Sequence, residues 1–385
     1  MAELCISVNV QADISKLGGQ AKISYRIMQS TLADPNEACP VEYRRPMMDV
    51  VEWHDDVLWD QFVLSACDST VVHLSGWHHV MTGAYGLKNF FLAALDSETI
   101  QGVLPLTLIQ SRLLGNCLVS MPFLDYGGVC SNGNQQAEAA LVLAAQEIAL
   151  KHSAVLSLRY LRDPHLQLPC WDDKVTMFLD LASNEDATWK RLPSERRNRI
   201  RKGQKYGLQG SIHGIEGLNA FYGVFAENMR DLGSPVHSQS FFREIMRCFD
   251  KRAQVLLIRL GTETVGAAIM LSYNGMLSIP WVSSSRAFFE KYPNQVLYWE
   301  AMRYGIANGC QILDFGRCSK GSGTFEAKRQ WGAKADQLHW YYYPETTRPP
   351  GDDVNRYSWV AQIWKRLPVP VANAIGPWLR QSIPN

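Results

Sequence analysis

Between Val50 and about Leu181 the chain reads as strand, helix, helix, strand, strand, strand, helix, strand, and after Leu218 this order begins again. In the first copy "WDQFVLSACDST" and "SGWHHVMTGAYG" read as short helices. "NFFLAALDSETIQGVLPLTLIQ" reads as a hairpin turning at "DSET", and "NCLVSMPFLDYGGV" as a further strand. The alanine-rich "QQAEAALVLAAQEIALKHS" is a strong helix former, followed by the buried strand "AVLSLRYL". In the second copy, Leu218, Phe221, Tyr222, Phe225, Met229 and Leu232 share one helical stripe that Gly233 closes. "SFFREIMRCF" gives the second helix, and "VLLIRLGTETVGAAIMLSY" a hairpin whose "ETVG" parallels the earlier "ETIQG". A helix from Asn294 to the stop at Gly309 then leads into the strand "QILDFG". The helix–strand units align without a gap, Ala149 against Ala307, Leu156 against Asp314 and Arg159 against Arg317. A duplicated mixed α/β (α+β) unit explains this; a loose match between two unrelated α/β domains stays open on the pattern alone.

The length of 385 residues suits two domains, at roughly 100–200 residues each. A hydrophobic content of 46% supplies two cores. The net charge of +1 excludes a surface that binds DNA as a whole, so any anionic ligand must be met locally. Nine scattered cysteines with no C-x-x-C pair read as reduced thiols, and no metal site is expected beyond the bare His78–His79 adjacency. Residues 1–47 show no basic-then-apolar leader and little pattern, and no apolar run reaches about 18 residues. The expectation is a cytoplasmic protein with an N-terminal extension at 1–47.

The stretch "LDFGRCSKGSGTFEAKRQWG", Leu313 to Gly332, imitates nucleotide motifs. A kinase reading fails on spacing: after the catalytic-loop mimic "MRDL" the metal-holding asparagine would fall at Val236. A phosphate loop fails as well, because G-x-x-x-x-G-K-[ST] does not fit. A strand, a glycine turn and a helix remain, which aim backbone N–H groups at one spot beside Arg317 and Lys320. A second charged feature lies at Lys190–Gly207, where Arg196, Arg197, Arg199, Arg201, Lys202 and Lys205 crowd one helix. It reads either as a solvated face or as the binding site of a phosphate-bearing donor.

"DFGR" followed by "GSGTFEAKRQWG" resembles the C-terminal signature of FemAB-related proteins, whose domains have the acetyltransferase (GNAT) fold. "RRNRIRKGQKYGL" resembles the segment that opens their second domain. "LPLTLIQSRLLGNCLVSMPFLDYGGV", "LGSPVHSQSFF" and "WKRLPVPVANAIGP" are similar to the FemAB-like branch associated with exosortase/PEP-CTERM exopolysaccharide systems. The resemblance implies two GNAT-like (acyl-CoA N-acyltransferase fold) domains in tandem, at 48–185 and 186–347, with a tail at 348–385. It implies transfer of an acyl or aminoacyl group to an amine of a cell-envelope or exopolysaccharide-related precursor. The donor would be aminoacyl-tRNA, acyl-carrier protein or acyl-CoA, with no tightly bound cofactor. The alternative is a non-catalytic GNAT-derived scaffold of exopolysaccharide assembly. The family's lysine matches Lys328, while the aromatic residue before it is Ala327 here and the pattern Q/R-x-x-G-x-G/A is missing.

For such a reaction Lys328 would support an oxyanion or a donor phosphate, and Asp314 is a candidate base or a structural hydrogen-bonding group. Arg317 and Lys320 would hold an anionic substrate group beside Trp331. Tyr126 and Arg159 are candidates for acceptor contacts across the domain interface. Trp281 and Tyr298 stack on a sugar or pack in the core. Arg196, Arg197, Arg199, Arg201 and Lys202 would meet donor phosphates. The tail "SWVAQIWKRLPVPVANAIGPWLRQ" docks on the body or touches the inner face of the inner membrane.

Overall fold

The computed structural model describes residues 8–17, 20–29, 48–111, 114–344 and 358–384. Two seven-stranded mixed sheets form the body. The first runs Asp49–Glu52, Lys88–Asp96, Thr99–Ser111, Gly115–Val119, Ala154–Tyr160, His339–Tyr343 and Cys170–Trp171. The second runs Leu208–His213, Ala253–Leu260, Glu263–Tyr273, Met276–Ser284, Ile312–Ser319, Lys174–Asp180 and Lys334–Gln337. In each sheet the fourth and fifth strands are parallel and all other neighbours antiparallel. A parallel pair needs a crossover, which helix Gln135–Lys151 supplies in one copy and helix Pro293–Ala307 in the other. The duplicated order is therefore a duplicated topology.

The two sheets exchange strands. Lys174–Asp180 precedes the second repeat in sequence, yet it pairs with Ile312–Ser319 of the second sheet. His339–Tyr343 follows that repeat and pairs with Ala154–Tyr160 of the first. A boundary at 185/186 thus passes through a reciprocal swap, and neither sheet is complete without the other half of the chain.

One apolar core joins both halves, with Trp59, Trp77 and Phe91 packed in the same cluster as Phe221, Phe241 and Ile269. The outer face of the first sheet is closed by Leu141, Ile148 and Ala149 of the alanine-rich helix, and that of the second by Val296, Trp299 and Met302. The tail forms helices Ser358–Trp364 and Val369–Arg380, which dock on the end of helix Leu218–Leu232. There Arg230 Nη1 donates to the Leu367 carbonyl at 3.0 Å. Within the unpatterned N-terminal extension, Val8–Leu17 and Gln20–Gln29 pair as an antiparallel hairpin.

Candidate active site

The Leu313–Gly332 stretch folds around one irregularity. The parallel pairing of Met276–Ser284 with Ile312–Ser319 ends at Ser278 opposite Asp314, and beyond it the strands part. On the other edge the register against Lys174–Asp180 shifts between Asp314 and Arg317, a bulge that Gly316 allows with φ of 74°. Bulging frees backbone groups, and side chains collect around them. Asp314, 3% exposed, accepts from Thr176 Oγ1 at 2.7 Å, the Gly316 N–H at 2.8 Å and Tyr126 Oη at 2.9 Å. Burial raises its pKa above the usual carboxylate range, while the Thr176 hydrogen bond pulls the other way. Burial also holds Tyr126 well above an ordinary phenol, with the Asp314 charge adding to it.

Lys328 comes from the short helix Gly323–Arg329, started by Ser322 Oγ accepting from the Phe325 N–H. It is 8% exposed and its Nζ reaches back to the bulge, donating to the carbonyls of Gly316 at 2.7 Å and Arg317 at 2.9 Å. Burial lowers its pKa. An ammonium has three donors, and these two bonds use two of them. The Arg317 N–H donates to Asp125 Oδ2 at 2.8 Å, its Nε lies 3.3 Å from Asp125 Oδ1, and its guanidinium sits 4.9 Å from the Trp340 ring centre.

Arg159 stacks on the same Trp340 ring at 4.3 Å and donates to the carbonyls of Leu124 and Pro384. It is buried, which brings its pKa down to about 10, and desolvation does the same to the half-buried Arg380 of the tail. The chain's end is thereby fastened where the two domains meet.

Beside this cluster an interdomain cleft of about 430 Å³ opens. Tyr126, Glu138, Tyr160 and Asp163 line it from the first half, and Met276 and Ser278 from the second. At one end Asp68 accepts from the N–H groups of Ser131 and Asn132 at 3.0 Å, just before helix Gln135–Lys151. Backbone amides of the kind that hold an anion at a helix start are taken here by a carboxylate of the chain itself. The matching helix Pro293–Ala307 of the second half has no side-chain cap.

The other expected site residues are spread more widely. Trp281 is buried against Phe241 and Phe242, and Tyr298 packs on Phe315 and Trp331 in the second core. Neither lines the cleft. Lys320 is exposed on its turn. In helix Ser194–Lys205, Arg196 is buried against Trp331 and donates to Gln330, and Arg199 pairs with Glu195. Arg201 lies over Trp189 at 5.2 Å, Lys202 is exposed, and Arg197 is half-buried. Gly203 packs against the Lys291 carbonyl and Val296, so this helix ends beside the uncapped helix start. Sequence reasoning passed over Asp125, Thr176, Glu138, Tyr160 and Arg380. Asp125 adjoins Tyr126 in sequence, whereas the other four carry no motif.

Residues 194–329 match the family model described as "Acetyltransferase (GNAT) domain". No curated protein sequence matches the chain. Among solved structures the fold is similar to that of FemX, with 16% identity and a TM-score of 0.58 over 80% of this chain and 99% of that one. It is also similar to L-PGS from Bacillus licheniformis (11% identity, TM-score 0.53, 86% of this chain and 98% of that one). The third is the C-terminal domain of a protein assigned as a lysylphosphatidylglycerol synthetase in Agrobacterium fabrum (11% identity, TM-score 0.52, 83% and 95%). Residues 194–329 thus carry the match to a GNAT domain, within a fold built from two sheets of one topology. Among the described residues no helix is long and apolar enough to cross a membrane.

Proposed function

We propose that the protein is a FemAB-like N-acyl- or aminoacyltransferase, forming an amide on an amine of a cell-envelope or exopolysaccharide-related acceptor. The observation that carries this reading is the parting of two parallel strands after Ser278 and Asp314, beside a buried ammonium. A parted pair offers backbone groups to an acyl chain, and Lys328 keeps one donor for the oxyanion of the tetrahedral intermediate. Similarity to FemX, and the PEP-CTERM-branch resemblance of the sequence, support the acceptor class.

The donor is a carrier-bound acyl or aminoacyl group, on tRNA, acyl-carrier protein or CoA. Its phosphates would meet the exposed side of helix Ser194–Lys205 and the uncapped start of helix Pro293–Ala307. Arg201, Lys202 and Lys205 are exposed cations on that helix, while the buried Arg196 supports it against Trp331. Arg317, held by Asp125, positions the bulge, and Tyr126 joins the cleft to Asp314.

The reaction takes place at the inner face of the inner membrane. The outward faces of the tail helices expose Trp359, Ile363, Val371, Ile375 and Trp378, Lys365 and Arg366 are exposed between the two helices, and residues 358–384 contain no acid. Tryptophan with basic neighbours favours an anionic bilayer surface.

The test is discharge of labelled aminoacyl-tRNA, acyl-carrier protein and acyl-CoA in an extract of envelope precursors. One carrier should lose its acyl group, and Lys328→Ala should slow that loss by about 10²–10³-fold. Three intact carriers, or an unslowed variant, would refute the reading.

A further inference from the structure

The cleft has a charge character of its own. Its carboxylates are Asp68, Glu138 and Asp163, set against Arg162, while His73 is buried and held neutral by burial. His73 Nδ1 accepts from the Thr70 N–H, and its Nε2 faces the Gly127 carbonyl. Two of the three carboxylates are engaged locally. Asp68 is held by the amides of Ser131 and Asn132 and the thiol of Cys130. Asp163 accepts from Tyr341 Oη and the His165 N–H. Glu138, in the first turns of helix Gln135–Lys151, has no such ties to main-chain amides.

A second observation points to a ligand at the same place. Tyr160, 5% exposed, lines the cleft beside Glu138, yet its hydroxyl reaches no partner in hydrogen-bond geometry. A buried hydroxyl left this way costs about 1–3 kcal/mol unless something else meets it. A carboxylate with a phenol hydroxyl close beside it, neither tied to a main-chain amide, suits a group that donates to both, which an ammonium does.

We propose that this cleft binds the ammonium group of the acceptor, with the Glu138 carboxylate as the catalytic base and Tyr160 Oη as a second ligand. The proposal rests on the transferase reading for the chemistry that follows. The ammonium gives one proton to Glu138, and the freed amine attacks the donor carbonyl. A C–N bond forms, the bond from the carbonyl carbon to the carrier's oxygen or sulfur breaks, and the second amine proton leaves with the carrier as its alcohol or thiol. Burial, with repulsion from Asp68, pushes the Glu138 carboxyl up to about 7, although the Tyr160 side chain opposes the shift. A base poised there is protonated and deprotonated with equal ease near neutral pH. The same charge pattern disfavours a phosphate in the cleft, so an anionic part of the acceptor must lie outside it.

The experiment is isothermal titration calorimetry of the full chain with cadaverine, a diamine, and with glutarate, a diacid of equal length, with no acyl donor present. Cadaverine should bind and glutarate should not. Glu138→Gln, which keeps the shape and removes a half-buried charge, should weaken cadaverine at least tenfold. In the parent protein affinity should fall as pH drops from 8 to 6, and in the variant it should not. Glutarate binding as well as cadaverine, or a variant that binds cadaverine as the parent does, overturns the proposal. Because no carrier is present, failure here is separate from failure of the transferase reading. Carriers that stay charged while cadaverine binds through Glu138 leave the acceptor cleft standing and remove the transfer step.

Discussion

Asp314 receives hydrogen bonds from three different segments, so its replacement by alanine and by asparagine should have very different costs. Alanine strands Tyr126 Oη, Thr176 Oγ1 and the Gly316 N–H, which donate to it at 2.9, 2.7 and 2.8 Å. At about 1–3 kcal/mol for each unmet buried group, Asp314→Ala should lose about 3–9 kcal/mol. That is comparable to the whole stability of an ordinary domain. Asparagine keeps the shape. With its carbonyl oxygen at the Oδ1 position, Thr176 and Gly316 keep their acceptor. The amide then donates to Tyr126 Oη, whose proton turns to Met276 Sδ, 3.8 Å away. The three former donors are met and only the second amide N–H is left over, so Asp314→Asn should cost about 1–3 kcal/mol, well short of the alanine loss. The pH dependence has a definite sign. A carboxyl whose folded pKa is raised contributes its stability fully below the unfolded value of 3.8 and loses it as pH rises through the folded value. The asparagine variant should therefore gain on the parent as pH goes from 4.5 to 8, by about 1.4 kcal/mol for each tenfold change in proton affinity. Urea unfolding followed by tryptophan fluorescence reads all three proteins. An asparagine variant as unstable as the alanine one, or a parent that gains on it with rising pH, would refute the hub.

The remaining predictions test neighbouring features. Gly316→Ala puts a Cβ at φ 74° and 3.1 Å from Asp125 Oδ2. It should cost about 1–3 kcal/mol in thermal unfolding, whereas Gly323→Ala, with open space around it, should be neutral or slightly stabilising. Trp359→Glu with Trp378→Glu, both 64% exposed, should at least halve recovery with phosphatidylglycerol vesicles on flotation. Equal recovery would end the membrane reading. Deleting the tail is the poorer test, because Arg380 and Pro384 are fastened at the domain interface.

The fold was legible to the extent that hydrophobic period and turn chemistry determine it. The two copies of the strand and helix order, the hairpin at "DSET" and the stop at Gly233 all follow from local pattern. Alternation also runs through "VNVQADISKL" and "QAKISYRIMQ", which pair as Val10 with Ile27 and Ile14 with Ile23, a signal the reading of 1–47 as unpatterned missed. Strand exchange is different in kind. Periodicity says that Lys174–Asp180 is a strand, but the partner of a strand is chosen by long-range pairing, and nothing in "KVTMFLD" distinguishes one sheet from the other.

The same limit governs the site. Lys328 and Asp314 could be named because the motif that holds them is contiguous. Tyr126 meets Asp314 across 188 residues, and Thr176 reaches it only through the exchanged strand. Glu138 was hidden for another reason: a glutamate in an alanine-rich helix reads as a solvent-facing residue, and only the cleft wall beside it changes its protonation. The consequence concerns how two copies of one topology would divide the proposed reaction. In the second copy the helix start is uncapped and a buried lysine lies beside the parted strands; in the first, Asn134 caps the helix start, Asp68 takes the loop amides before it and the cleft has turned acidic. Such opposite electrostatics on one duplicated scaffold suit opposite ligands, an anionic carrier on the second copy and a cationic amine on the first. Asp68→Asn should shift this division measurably, weakening cadaverine binding while leaving the discharge of carrier without acceptor unchanged. Loss of carrier discharge would mean that the first copy, not the second, receives the donor.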